Sequence, residues 1–324
     1  SSHSAYGSFG LWHQLYVCPA YVWTFGCSCS LRSRCACQNI FVGTTGWVGD
    51  IADWFPLFYL PPSTATFTPI NVMTQLKACN LSFSVEGSSI IENISLSVSS
   101  GEWLGIAGLN GSGKSTLLKC MAGLLIPSSG QMSIDGQPYS QVNHIHRKLS
   151  IMSQSTDVLS AMSVIDLVRL GRYPHLPAWS FSLSSIDHSR VDYALDFTGL
   201  NDFRQRQVST LSGGERQRAF LALSLAQDGS VLLFDEPTNH LDLVAQTQIL
   251  SLLRRLADHG KVVVSVLHDL NQLSKYCSRL ALLRDGALVA EGLLSQVFTS
   301  PNLKLTFGMD IDVVHSYDRL CAII

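Results

Sequence analysis

Residues 102–125, EWLGIAGLNGSGKSTLLKCMAGLL, constrain the fold more than any other stretch of this chain. They read as an apolar strand, a glycine-rich turn and an apolar helix in immediate succession. Gly108 to Ser115 has the spacing G-x-x-x-x-G-K-[ST]. A turn of that kind wraps backbone N–H groups around phosphate oxygens. The first amides of a helix lack partners within it, and the helix dipole favours negative charge there. Gly108, Leu109, Asn110, Gly111, Ser112 and Gly113 form the expected cradle. Lys114 is placed to reach β- and γ-phosphate oxygens, Ser115 to ligate Mg²⁺, and Thr116 to continue the phosphate-facing turn.

Three further segments point to the same site. Val231 to Phe234 is a short, continuous apolar run, as a strand buried on both faces of a parallel sheet requires. It ends in Asp235 and Glu236, at the edge where open α/β sheets bind ligands. There Asp235 is suited to hold Mg²⁺ through water and Glu236 to polarise an attacking water. KVVVSVLHDLNQ is a third buried strand, and it delivers His268 to the same edge. Gln154 follows another short apolar strand in LSIMSQ.

TLSGGERQR, residues 210–218, joins two glycines to a run ready to begin a helix. Ser212, Gly213 and Gly214 would offer a hydroxyl and free N–H groups to an anion.

These motifs, in this order, resemble the nucleotide-binding subunits of ABC transporters. The likeness covers residues 73 to about 315, with the P-loop at 108–116, Gln154, LSGGERQ at 211–217, LLFDEP at 232–237, NHLD at 239–242 and His268. It implies an α/β fold: a P-loop core with an antiparallel β subdomain and a helical subdomain at about 155–222. It implies ATP and Mg²⁺ as ligands and a homodimer that sandwiches two ATP molecules. Ser212, Gly213 and Gly214 of one subunit would then face the ATP held by the other. By the same resemblance Glu236 is the general base and His268 contacts the γ-phosphate. Gln154 would touch the metal, and Asp242 would lie in the segment crossing the dimer interface. The family often stacks adenine on an aromatic residue early in the chain. Val85 occupies that position here, with Phe83 two residues before it on the expected strand face.

VRLGRYPHLPAW, VLHDLNQLSKYCSRLALLRDGALVAEG and PNLKLTFGMDIDVV resemble importers of iron–siderophore, haem or cobalamin. Integral-membrane permease subunits and, indirectly, a periplasmic substrate-binding protein are the implied partners. The implied location is the cytoplasmic face of the bacterial inner membrane, with the subunit peripheral. The alternative is a non-transport ABC ATPase of translation or DNA repair. A single cassette argues against the first. The absence of a heptad run between P-loop and LSGGE argues against the second.

Composition enters at the N-terminus. The chain of 324 residues is 46% hydrophobic with a formal net charge of −2, which gives no support to a nucleic-acid partner. No run reaches about 18 apolar residues, so no transmembrane helix is expected. Residues 1–72 hold four charged residues (Arg32, Arg34, Asp50 and Asp53), no Lys and no Glu, yet four of the six tryptophans. The first methionine is Met73, and a plausible strand begins directly after it. Residues 1–72 are therefore expected to be a disordered, non-native extension, and 73–324 to be the ATPase domain. Five of nine cysteines fall in this leader, at CxC spacings poor for tetrahedral zinc. Cys79, Cys120, Cys277 and Cys321 read as small core residues of a protein in a reducing, cytoplasmic compartment.

Overall fold

The computed structural model describes residues 73–153, 161–177, 182–316 and 319–323. The expectations for residues 1–72 and for Gln154 lie outside these residues. β1 (Gln75–Val85) and β2 (Ser88–Ser99) form an antiparallel pair. Leu76, Ala78 and Leu81 on the first, and Ile91, Ile94, Leu96 and Val98 on the second, turn inward. β3 (Trp103–Gly108) is buried at every position and runs into α1 (Lys114–Met121). β4 (Ser129–Ile134) and β5 (Gln137–Pro138) complete a four-stranded sheet of order β2-β1-β4-β5. β6 (Leu149–Met152) then opens the central sheet.

α2 (Val164–Leu170), α3 (Ser185–Phe197) and α4 (Gly213–Ala226) follow as a helical cluster. The chain returns to the sheet with β7 (Val231–Asp235), α5 (Leu243–Asp258), β8 (Val262–Val266) and α6 (Leu270–Tyr276). β9 (Arg279–Arg284), β10 (Ala287–Leu293), α7 (Leu294–Val297), α8 (Ser300–Phe307), β11 (Asp312–Ser316) and β12 (Arg319–Ile323) close the chain. A hairpin at Gly286 joins β9 to β10, with Asp285 and Gly286 both at positive φ (49° and 80°).

The central sheet has the order β10-β9-β3-β8-β7-β6, parallel except for the edge strand β10. Successive residues of its strands feed opposite cores. Leu104, Ile106, Val231, Leu233, Val264 and Val266 pack with β1, β2 and α1. Trp103, Ala107, Leu232, Phe234 and Val263 pack against the helices of the other face. Both faces are covered, so the strands are apolar throughout. Two buried serines interrupt them: Ser265 Oγ accepts from Trp103 Nε1 at 2.8 Å, whereas the Ser150 hydroxyl of β6 has no hydrogen-bond partner.

Within the helical cluster, Arg172 and Asp187 form a buried ion pair at 2.8 Å, and Arg172 also donates to Ala226 O at 2.6 Å. The helical part was expected to end near 222; α4 continues to Ala226, because Leu225 and Ala226 are still buried. Cys120 and Cys277 are buried as expected, and burial pushes the Cys120 thiol up to about 11. Cys79 and Cys321 are only half-buried. Among the described residues no helix is long and apolar enough to cross a membrane.

Candidate active site

β3, β7 and β8 end together. Ile106 and Asp235 are both in register with Val266, so Gly108, Asp235–Glu236 and His268 emerge at one sheet edge. The P-loop leaves β3 there and enters α1 through Gly113, which caps the helix at φ 95°. A Cβ at Gly113 would stand 2.6 Å from Ile91 Cγ2 and 2.9 Å from Ile90 O. Only glycine meets both the left-handed conformation and that close approach.

Lys114 is buried, and its ammonium donates to Gly108 O at 2.9 Å and Leu109 O at 2.8 Å. Burial lowers its pKa, against the opposing pull of the Glu236 and Asp235 carboxylates. Ser112 is also buried, yet its hydroxyl has no hydrogen-bond partner. A buried hydroxyl without a partner is costly unless a ligand satisfies it.

Ser115 Oγ donates to Asp235 Oδ1 at 3.1 Å. Burial raises the Asp235 pKa; the Ser115 bond opposes the rise and the neighbouring Glu236 charge adds to it. Two hard oxygen donors held together suit Mg²⁺, which commonly takes one or two protein ligands and completes its shell with phosphate and water. Among the described residues no group of three or more His, Cys, Asp or Glu side chains forms an all-protein metal site.

Glu236 sits at φ 53°, with its N–H donating to Val266 O at 3.2 Å. Both of its carboxylate oxygens are engaged. His268 Nε2 donates to Oε1 at 2.5 Å, and Asn239 Nδ2 donates to Oε2. Asn239 had no role in the sequence reading, although it lies in the recognised NHLD segment. A cavity of about 130 Å³ adjoins this pair, lined among others by Glu236, Thr238, Asn239, Gln246, His268 and Gln272.

The structure thus brings Lys114, Ser115, Asp235, Glu236 and His268 together, and leaves the LSGGE residues apart from them. Ser212 caps α4 by accepting from Glu215 N at 3.3 Å, while Glu215 Oε2 accepts from Ser212 N at 2.8 Å. The glutamate of that motif therefore serves as a reciprocal helix cap. Its bond to the Ser212 N–H is the main cause of its lowered pKa. Ser212 and Gly213 are exposed, and Gly214 packs against Ala245 of α5. From the same helix, Gln217 Nε2 donates to Pro237 O at 2.8 Å, beside Glu236. Asp242 caps α5, accepting from Ala245 N at 2.8 Å. The pairing of β1 with β2 shifts between Phe83 and Ser84, where Ile90 of β2 is the extra residue. Phe83 packs against the core, and Val85 is 45% exposed.

The family profile described as ABC transporter matches residues 91–239. The chain is 37% identical over 232 residues to the petrobactin import ATP-binding protein of Bacillus anthracis, covering 71% of this chain and 85% of that protein. It is 36% identical over 225 residues to the ferric enterobactin transport ATP-binding protein of Escherichia coli, covering 68% and 82%. Among solved structures, it matches a metal-chelate type ABC transporter in an inward-facing conformation. The TM-score is 0.68 at 27% identity, over 78% of this chain and 98% of that one.

Proposed function

Since this chain belongs to the ABC transporter family, as an ATP-binding subunit that hydrolyses ATP to drive transport, we propose that it powers import of an iron chelate (siderophore or haem) or of cobalamin. The cargo class is supported by relatives that import petrobactin and ferric enterobactin, and by the likeness to a metal-chelate transporter. The observation that carries the catalytic reading is the meeting of Lys114, the Ser115–Asp235 pair and the Glu236–His268 pair at one sheet edge.

In this reading the P-loop N–H groups of residues 108–116 and the Ser112 hydroxyl hold the ATP phosphates. Lys114 leaves its carbonyl partners for the β- and γ-phosphate oxygens. Ser115 and Asp235, with Gln154, would hold Mg²⁺, which when bound neutralises phosphate charge. Glu236 takes the proton of the attacking water, its carboxylate oriented by Asn239 and His268. His268 also steadies the γ-phosphate as charge develops. Ser212, Gly213 and Gly214 bind the ATP of a second copy of the subunit in a homodimer. The dimer docks on integral-membrane permease subunits at the cytoplasmic face of the membrane. A periplasmic binding protein delivers the chelate to the permease and does not touch this subunit. The test is uptake of labelled ferric siderophore, haem and cobalamin by cells with and without the gene. Loss of one of the three is expected. Normal uptake of all three overturns the cargo class.

A further inference from the structure

Gln246 bonds to the supports of both halves of the Glu236–His268 pair. Its Nε2 donates to Leu241 O at 3.1 Å and to Thr238 O at 3.3 Å, carbonyls of the segment that leaves β7 just after Glu236. Its Oε1 accepts from Gln272 Nε2 at 2.8 Å. Gln272 lies in the first turn of α6, immediately beyond His268. That turn is fixed by Asp269, whose Oδ1 accepts from Asn271 N at 2.8 Å and Gln272 N at 3.2 Å. The Thr238 hydroxyl reaches Gln272 Oε1 at 3.5 Å and closes the circuit.

Something must hold these two exits at a set distance. The strands that carry Glu236 and His268 are paired as far as Asp235 and Val266, and the Glu236 N–H donates to Val266 O at 3.2 Å. Beyond that bond a cavity of about 130 Å³ lies beside the two side chains, so side-chain packing does not fix their placement there. Glu236 also holds a left-handed φ of 53°, which its surroundings must maintain. The apolar faces of α5 and α6 are anchored elsewhere, through Ile249, Leu250, Leu253, Leu270 and Leu273. The amide circuit is thus not needed to keep the helices in place. It connects the two exits directly, in a partly buried setting where hydrogen bonds orient strongly.

We infer that Gln246 is a positioning residue for hydrolysis: through Gln272 and the Thr238 and Leu241 carbonyls it sets the spacing between Glu236 and His268. This rests on the proposal that Glu236 is the base. The experiment measures ATP hydrolysis by the subunit assembled with its permease, in Gln246→Met, Gln272→Met, the double variant and Glu236→Gln. Methionine keeps the length and volume of glutamine but removes the hydrogen bonds. Misplacement of a reacting group by about 1 Å costs up to about 100-fold, so kcat is expected to fall about 10- to 100-fold in Gln246→Met. KM for ATP should stay within about twofold. The double variant should be no slower than Gln246→Met alone, because both changes open one circuit. An unchanged kcat, additive losses, or a parallel fall of kcat, ATP affinity and melting temperature each overturn the role. If Gln246→Met does not assemble, Gln272→Met carries the same test from the other side of the bond. Glu236→Gln separates the two readings. Hydrolysis retained there overturns the base assignment. Hydrolysis lost there but kept in Gln246→Met overturns only this inference.

Discussion

Arg172 and Asp187 show how a single buried contact organises the helical cluster. The pair is 5% and 9% exposed, Arg172 also holds the carbonyl of Ala226, the last residue of α4, and Asp187 completes the capping box of α3 with Ser184. Burial by itself would raise the Asp187 pKa. The Ser184 hydroxyl and N–H and the Arg172 guanidinium outweigh it and hold the carboxyl below the usual carboxylate range. A depressed carboxylate stabilises the fold above its unfolded pKa, and that contribution is lost as pH falls through the folded value. Asp187→Asn leaves Arg172 buried without its counter-charge, so about 3–5 kcal/mol of stability should be lost at neutral pH. The gap between parent and variant in urea unfolding should shrink only as the pH is lowered through the folded pKa of Asp187, below the usual carboxylate range, where the parent carboxylate becomes protonated too. A gap that stays constant on acidification means that the charge of Asp187 is not what matters. At this scale the sequence was legible where a residue belongs to a compact motif, as Lys114, Asp235 and Glu236 do. Gln246 and Gln272 were not, because their bond joins α5 to α6 and no spacing reveals it, and Asn239 was not, because a bond three residues back to Glu236 follows no recognisable pattern.

At the level of elements, the parallel strands were the most readable part. Val231–Phe234 and Val262–Val266 must be apolar on both faces, and the residues say so without ambiguity. The extra residue Ile90 of β2, opposite Phe83 and Ser84, left no such trace, because a shift in pairing changes which residues oppose one another without changing composition. The start of α4 carried two signals at once: Ser212 and Glu215 have capping-box spacing, and the glycines have the look of an anion site. The structure gives Glu215 to the cap. Close approach of α2 to α4 was equally hidden. Gly171 ends α2 at an ordinary φ of −58°, but a Cβ there would lie 2.4 Å from Leu223 O and 3.1 Å from Ala226 Cβ. Gly171→Ala should therefore force the two helices apart and lower stability by about 1–3 kcal/mol. Since Gly171 is remote in sequence from every phosphate-binding residue, ATP affinity should be retained. Chemical denaturation and ATP titration of the same variant test this together; parent stability would mean that the helices yield freely.

Among the described residues the two groups expected to bind nucleotide stand apart from each other. Lys114, Ser115, Asp235 and Glu236 are gathered at the sheet edge, whereas Ser212 and Gly213 stand exposed at the start of the 14-residue α4. They share no hydrogen bond with that group among the described residues, and the exposed end of α4 beside the Ser212–Glu215 cap is open to an anion from outside this chain. A second copy carrying ATP supplies it if the subunits pair head to tail, and then each ATP is served by the P-loop of one copy and Ser212–Gly214 of the other. This arrangement makes a prediction that a self-contained site does not. Lys114→Ala disables the P-loop. Gly213→Asp places a negative charge where the partner's phosphates would come; its Cβ meets only Leu241 Cδ2, at an ordinary 3.5 Å, so the fold should tolerate it. Each variant alone should be inactive in the assembled transporter. Complexes selected by two different tags to hold one copy of each would have both defects in one composite site and none in the other. Such complexes should recover about half of the parent ATP turnover, as two equivalent interfaces related by twofold symmetry require. If each site lay within a single chain, both would be broken in the mixed complex. Turnover no higher than that of the single variants would then place Ser212 and Gly213 outside the partner's site.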